Sequence, residues 1–280
     1  MKLSQRLALN YIRTKFKLLS AVSKKKAAQK AFELFCTPQK RHVKPFPKIF
    51  EEAEKLQLAI EGINIKGWRW NHPAERKVLI LHGYESSATN FDRFIKPLIK
   101  KGYEVLAFDA PAHGRSGGKQ INAPFYKRSI LEINKKYGPI KSFMGHSFGG
   151  LAVSLALEEI SHTADYRLVL IAPATETTSF IDTFFKFLKL DPALRQEFEK
   201  IIVKTGGVSS EWYSISRAMR NIRAKVLWLH DEDDYVTPLS DALKVKDKNY
   251  PNVEFVITKG LGHRKIYRDN KVVKAIIDFL

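Results

Sequence analysis

From about residue 56 onward, apolar and polar positions alternate between two rhythms. Residues 58–70 show partial period-two alternation with aromatic content, which predicts antiparallel strands entering a sheet. Lys77-Val78-Leu79-Ile80-Leu81 carries the short apolar run of a strand buried on both faces. The period then becomes helical over 88–101, with Phe91, Phe94, Ile95 and Leu98 on one stripe. The exchange repeats as strand 103–108, helix 126–137, strand 140–144 and a helix from Phe148 to about Ile160. Strands at 166–171, 225–229 and 253–258 and a helix at 271–280 complete it. Strands that alternate with helices predict right-handed βαβ units, hence an α/β chain with a mostly parallel sheet flanked by helices.

Two segments depart from this rhythm. Near the N-terminus Leu3, Leu7, Tyr11 and Phe16, joined by Leu18, Leu19 and Val22, recur at near-helical spacing among basic residues. A basic amphipathic helix results, which either packs its apolar face on the domain or docks on a membrane surface or partner. Thr37-Pro38 and Lys44-Pro45-Phe46-Pro47 read as a linker, since each proline disfavours helix at the preceding residue. The second departure lies between Pro173 and Ala224, where two or three helical patterns occur without a clear strand. Phe180, Ile181, Phe184, Phe185, Phe187 and Leu188 make this interval strongly apolar. An insertion after a strand end belongs over the C-terminal edge of the sheet, where open α/β sheets bind ligands. Its aromatic run would line an acyl pocket or serve as packing between cap and body.

Composition narrows the setting. A length of 280 residues with 44% hydrophobic and 28% charged residues suits one globular domain. Cys36 is the only cysteine, so no intrachain disulfide is possible and a reducing, cytoplasmic location is expected. The eight histidines show no zinc-type spacing. No run reaches the roughly 18–20 apolar residues of a membrane span, and the basic N-terminus lacks a signal-peptide core and cleavage pattern. The mature chain is therefore expected to start at Met1. The net charge of +19 is concentrated early: the first 43 residues hold eleven Lys or Arg against one acid, Glu33. Such a surface attracts phosphate-bearing partners non-specifically and implies no specific nucleic acid.

The sharpest chemical signal is Gly145-His146-Ser147-Phe148-Gly149, a G-x-S-x-G turn between an apolar strand and a helix. The sharp turn strains the serine, the glycines allow close approach of strand and helix, and the N–H of Phe148 can face a developing oxyanion. Ser147 is the candidate nucleophile. Its base must follow the acid in the order Ser, acid, His. His162 adjoins a helix end, and His230 precedes the acid cluster. His263, in the glycine-flanked segment Gly260-Leu261-Gly262-His263 after strand 253–258, has the required address.

The segment from His230 through Asp231-Glu232-Asp233-Asp234-Tyr235-Val236-Thr237-Pro238 resembles the G-x-x-D-x-V-x-P pattern of the α/β-hydrolase superfamily, with Asp231 in place of the usual glycine. The resemblance implies Asp234 as catalytic acid, with Asp233 as the reserve. Leu81-His82-Gly83-Tyr84 is similar to that family's HG-x turn, which implies the Tyr84 N–H as a second oxyanion donor beside Phe148. Asp109-Ala110-Pro111-Ala112-His113-Gly114-Arg115-Ser116 resembles its D-x-x-G-x-G-x-S loop, with Ala112 at the first glycine. His82 and His113 are structural in this comparison. The resemblance spans roughly residues 58–280.

The sequence thus predicts an α/β-hydrolase domain over 49–280 with a helical cap at about 174–223, inserted after the sixth strand, and a basic helical extension and linker over 1–48. The expected function is a serine hydrolase that cleaves carboxylic esters through an acyl-enzyme. Peptide, thioester and lactone hydrolysis, or ligand binding without catalysis, use the same fold and stay open. No metal or cofactor is implied: Gly118-Lys119-Gln120 lacks the spacing of a phosphate loop, and no G-x-G-x-x-G follows the first strand. The partner is a small ester or acyl substrate, and peripheral membrane contact through the N-terminal helix is the functional alternative to packing.

Overall fold

The computed structural model describes residues 3–41, 43 and 45–280, with side chains from residue 5 onward. Met1 as a start, the Leu3 side chain and Lys44 of the linker lie outside the described residues. The chain forms two compact units, residues 1–37 with 176–213 and residues 38–175 with 214–280.

The first unit is helical. It contains α1 (Leu3–Val22), α2 (Lys24–Cys36), and, beyond the sixth strand in sequence, α7 (Thr177–Leu188) and α8 (Leu194–Gly206). Ala27, Ala28 and Ala31 are fully buried, and these small side chains let α2 lie close against α1 and α8. Phe198 meets Phe32, Phe35 and Phe185 edge-on at 5.4–5.8 Å between ring centroids, a geometry that adds about 0.5–1.5 kcal/mol per pair to simple burial. Arg13 Nη2 donates to the Phe187 carbonyl at 2.6 Å and so satisfies an orphan carbonyl at the end of α7. The sequence assigned residues 1–48 to an extension and 174–223 to a cap. The structure joins residues 1–37 to 176–213, whose apolar faces complete one another, while residues 38–48 and 214–223 belong to the second unit. Ile181, Phe185 and Leu188 are buried, so half of this apolar run is packing, while Phe187 is exposed.

The second unit holds an eight-stranded sheet in the order β1-β2-β4-β3-β5-β6-β7-β8. β1 (Glu54–Ile60) and β2 (Ile63–Trp70) form an antiparallel hairpin, and β2 is also antiparallel to β4 (Tyr103–Phe108). β3 (Arg76–Leu81), β4, β5 (Ser142–His146), β6 (Arg167–Ile171), β7 (Lys225–Asp231) and β8 (Val253–Thr258) run parallel. The short helix α3 (Lys48–Glu51) precedes β1, and α4 (Asp92–Lys100), α5 (Ala123–Tyr137) and α6 (Phe148–Leu157) follow β3, β4 and β5. Three further helices, α9 (Ile215–Ala218), α10 (Leu239–Lys246) and α11 (Gly262–Lys265), lead to the terminal α12 (Asn270–Phe279).

Period two in the strands explains both layers. Val78 and Ile80, Val105 and Ala107, Val169 and Ile171, and Leu227 and Leu229 share one core with Phe94, Ile95 and Leu98 of α4 and Val272 and Ile276 of α12. The intervening Leu79, Leu81, Leu106, Phe143, Leu168 and Leu170 are equally buried. They face the layer of α5 and α6, where α6 packs on β3, β5 and β6. Burial on both faces accounts for the continuous apolar runs.

Candidate active site

β5 ends at His146 and α6 begins at Phe148, so Ser147 occupies a turn without spare residues. Its φ of 53° and ψ of −120° are unfavourable for an L-residue, at a cost of about 1–3 kcal/mol. Neighbouring hydrogen bonds hold the strain: Ser147 N donates to Ile171 O at 3.1 Å, and Ala174 N donates to Ser147 O at 3.0 Å. Gly149 is required for the close approach, since a Cβ there would lie 2.6 Å from Leu81 O and 2.7 Å from His82 O. A Cβ on Gly83 would lie 2.8 Å from Ser147 Cβ, so the His82-Gly83-Tyr84 turn passes directly beside the serine.

The loop after β7 carries the candidate acid. Asp234 Oδ1 accepts the N–H groups of Val236 and Thr237 at 2.8 and 2.9 Å, and Oδ2 accepts the Thr237 hydroxyl at 2.6 Å. His263 Nδ1 donates to the same Oδ2 at 2.8 Å. Burial alone would raise the Asp234 pKa, but the bonds from His263 and Thr237 outweigh it and hold the carboxyl at about 2. A carboxylate can only accept, so the His263 proton sits on Nδ1 and Nε2 is left free to accept one. Asp233 points elsewhere, its Oδ2 accepting Gly260 N at 3.0 Å. Among the described residues no hydrogen bond joins Ser147 to His263. Contacts of this kind are commonly long until substrate is bound.

Two residues that build this arrangement were not recognised as functional from the sequence. Asp231, at the position where glycine is usual, ties the acid loop to the histidine segment. Its Oδ1 accepts Asp233 N at 3.0 Å and Gly262 N at 2.8 Å, and its Oδ2 accepts Thr258 Oγ1 at 2.6 Å and Leu261 N at 3.1 Å. The departure from the usual glycine was the available signal. His146 fills the variable position before Ser147, and its Nε2 donates to the His263 carbonyl at 3.0 Å. Burial pushes its pKa down to about 3, so the ring is neutral. His263 itself stands in the single turn of α11 (Gly262–Lys265), at the end of the glycine-flanked segment.

On the other side of the serine, the rings of Tyr84 and Phe148 meet edge-on at 6.2 Å. The N–H of Phe148 is the first of α6 and belongs to the group that a helix start leaves without an intrahelical partner. His82 and His113 clamp this turn to the loop after β4. His82 Nδ1 donates to Gly83 O at 2.8 Å and its Nε2 accepts Ala110 N at 2.8 Å. His113 Nδ1 donates to Pro111 O at 2.9 Å and its Nε2 accepts Glu85 N at 2.9 Å. Burial lowers their pKa values to about 4 and about 3, which keeps both rings neutral and able to donate and accept at once. Asp109 accepts Ala88 N and Arg115 N at 2.9 and 2.8 Å, and burial lifts its pKa to about 6. Ala112, in the place of a usual glycine, adopts a φ of 63° and bears the strain that glycine would avoid.

Among the described residues no group of three or more His, Cys, Asp or Glu is arranged to hold a metal ion. The Cys36 thiol, in the helical unit, is buried and pushed up to about 12.

Comparison with known proteins identifies the family and the fold. Residues 72–222, just over half of the chain, match the family described as serine aminopeptidase, S33. A human serine hydrolase-like protein is 30% identical over 124 residues, which cover 42% of this chain and 61% of that protein. The uncharacterized Bacillus subtilis protein YqkD is 24% identical over 249 residues, covering 82% of this chain and 81% of its own length. Among solved structures, the Pyrococcus furiosus esterase Pf2001 superposes with a TM-score of 0.66 at 24% identity, over 87% of this chain and 95% of the esterase. Mouse alpha/beta hydrolase domain-containing protein 10 gives a TM-score of 0.59 at 18% identity, over 81% of this chain and 96% of that one. At such identities the two structures speak for the fold, and the matched sequence segment speaks for the family. The chain belongs to the serine aminopeptidase S33 family of α/β-hydrolases.

Proposed function

We propose that the protein hydrolyses carboxylic esters, with Ser147 as nucleophile, His263 as general base and Asp234 as its orienting acid. The observation that carries this reading is the strained turn at Ser147, held by its hydrogen bonds with Ile171 and Ala174. In the reaction, Ser147 Oγ attacks the acyl carbonyl while His263 Nε2 takes its proton, and Asp234 stabilises the imidazolium. Backbone N–H groups of Phe148 and Tyr84 bind the oxyanion. The alkoxide leaves with the proton from His263, and water then cleaves the acyl-enzyme by the same steps.

An ester is favoured over a peptide with a free α-ammonium group by the strongly positive charge of the chain. On the loops that carry the site, Glu85, Asp109, Asp231, Asp233 and Asp234 all accept backbone N–H groups, and Glu232 pairs with Lys259. These bonds engage part of each carboxylate, and a net charge of +19 disfavours a cationic substrate. The name of the Pyrococcus esterase is in line with this choice.

The test is hydrolysis of p-nitrophenyl esters of increasing chain length beside aminoacyl p-nitroanilides, with wild type and Ser147→Ala. Ester turnover that Ser147→Ala abolishes is the expected result. Anilide turnover without ester turnover would replace the ester reading by a peptidase one. Failure of a fluorophosphonate to label Ser147 would remove the hydrolase reading altogether.

A further inference from the structure

Helix α1 carries two apolar faces. Leu9 and Phe16 lie on one and are buried within the helical unit. Leu7, Tyr11, Leu18 and Val22 lie on the other, 62, 69, 65 and 83% exposed. Their spacings of four, seven and four residues gather them into a sector roughly 60° wide and about 22 Å long. A surface helix ordinarily presents polar residues there. Single exposed leucines need no explanation, but a contiguous stripe marks a place of contact.

Cations stand beside the stripe and on the flank of the helix. At helical spacing Lys15 lies about 20° beyond the Val22 edge, while Arg6 and Lys17 lie about 80–100° beyond the Leu7 edge, between the stripe and the buried face. All three are exposed, and among the described residues none forms an ion pair. Exposed Lys24, Lys25 and Lys26 open α2 just beyond Val22. The first acid of the chain is Glu33, and Lys30 already holds it.

This combination selects the partner. A second copy would bring two acid-free cationic helices together with nothing to neutralise them. A nucleic acid would take the cations and leave Leu7, Leu18 and Val22 in water. An anionic bilayer takes both, its phosphates at the lysines and its acyl boundary at the leucines. We propose that α1 docks on an anionic phospholipid surface, lying in the membrane plane with Leu7, Tyr11, Leu18 and Val22 turned into it. No described helix is long and apolar enough to cross a membrane, so the contact is with the surface. The proposal is independent of the reaction assigned to Ser147.

The test is flotation of the full chain with vesicles of phosphatidylcholine alone and of phosphatidylcholine with phosphatidylglycerol. Three proteins are compared: wild type, Leu7→Ser with Leu18→Ser, and Arg6→Gln with Lys15→Gln and Lys17→Gln. The altered side chains are exposed, and circular dichroism and Tm verify that each variant folds as wild type does. Wild type is expected to float with the anionic vesicles and to lose at least roughly tenfold in partitioning between low and high salt. Each variant set is expected to lose roughly tenfold at low salt. Wild type that stays in solution overturns the proposal, as does anionic binding that survives the leucine substitutions unchanged. If sedimentation velocity instead finds a wild-type dimer that Leu7→Ser with Leu18→Ser turns into monomer, the stripe is an interface between copies and the proposal also fails.

Discussion

His146 donates from Nε2 to the main-chain carbonyl of His263 at 3.0 Å, so the residue that precedes the candidate nucleophile holds the candidate base. Their rings lie 4.7 Å apart. His146→Phe keeps a ring of similar size and removes the donor. It is expected to lower kcat roughly tenfold with KM little changed, because a base held less firmly spends less time in the reactive geometry. Steady-state kinetics on the best p-nitrophenyl ester decides this, and an unaltered kcat would show that the hydrogen bond does not position His263.

Asp234 is the candidate acid by its contact with His263, and neighbouring carboxylates provide the control. Asp234→Asn should cost about ten-thousand-fold in kcat, since an amide no longer fixes the His263 tautomer. Asp233→Asn leaves the Asp234–His263 bond in place and is expected to stay within about tenfold of wild type. Reversal of this order in kinetic measurements would move the acid to Asp233.

Asp231 supports the histidine segment through Leu261 N and Gly262 N. Asparagine can accept for only part of this set. Loss of a buried acceptor costs about 1–3 kcal/mol, or about 5 °C in Tm. Asp231→Asn should therefore melt earlier and also lose roughly tenfold in kcat, with KM nearly unchanged. A lower Tm with normal kcat would reduce Asp231 to a structural role.

Gly149 has no room for a methyl group. Gly149→Ala is expected to cost about 2–4 kcal/mol in a denaturant titration, because the obstructing atoms are the backbone oxygens of Leu81 and His82 and cannot rotate away. A stability equal to wild type would mean that the turn can open.

Burial of neutral histidines makes stability depend on pH with a definite sign. His82, His113 and His146 titrate at about 4, 3 and 3 in the folded chain, and burial lowers His230 as well. In the unfolded chain they titrate near 6.5. Their contribution is complete above about pH 6.5 and is lost as pH falls towards the folded values. Asp109 works in the opposite sense: its folded pKa of about 6 lies above its unfolded value, so it gains stability as pH falls through that interval. The balance near pH 5 is an uptake of about two to three protons on unfolding, a slope of about 3 kcal/mol per pH unit. Urea titrations at pH 7, 6 and 5 should give steadily lower midpoints, and a flat series would contradict the neutral, buried state of these rings.

Much of this protein could be read along the chain, because its signals are local. Period-two and helical patterns located β3, β4 and β8 to within a residue; β3 and β4 are buried on both faces and so largely apolar, while β8 at the sheet edge keeps a polar residue among its apolar ones. The turn around Ser147 was equally plain, because the glycines that let α6 approach β3 stand next to it in sequence. Contacts between distant segments are a different matter. That α1 and α2 share a core with α7 and α8 depends on complementary apolar faces more than 150 residues apart, and neither pattern names its partner. Asp231 looked like one acid in an acidic run until folding brought Leu261 and Gly262 to it. His146 looked like a variable residue until the His263 carbonyl arrived at its ring. The exposed stripe on α1 is the clearest case. Leu9 and Leu7 are the same residue type two positions apart, and only the packing of the helix decides which of them is buried.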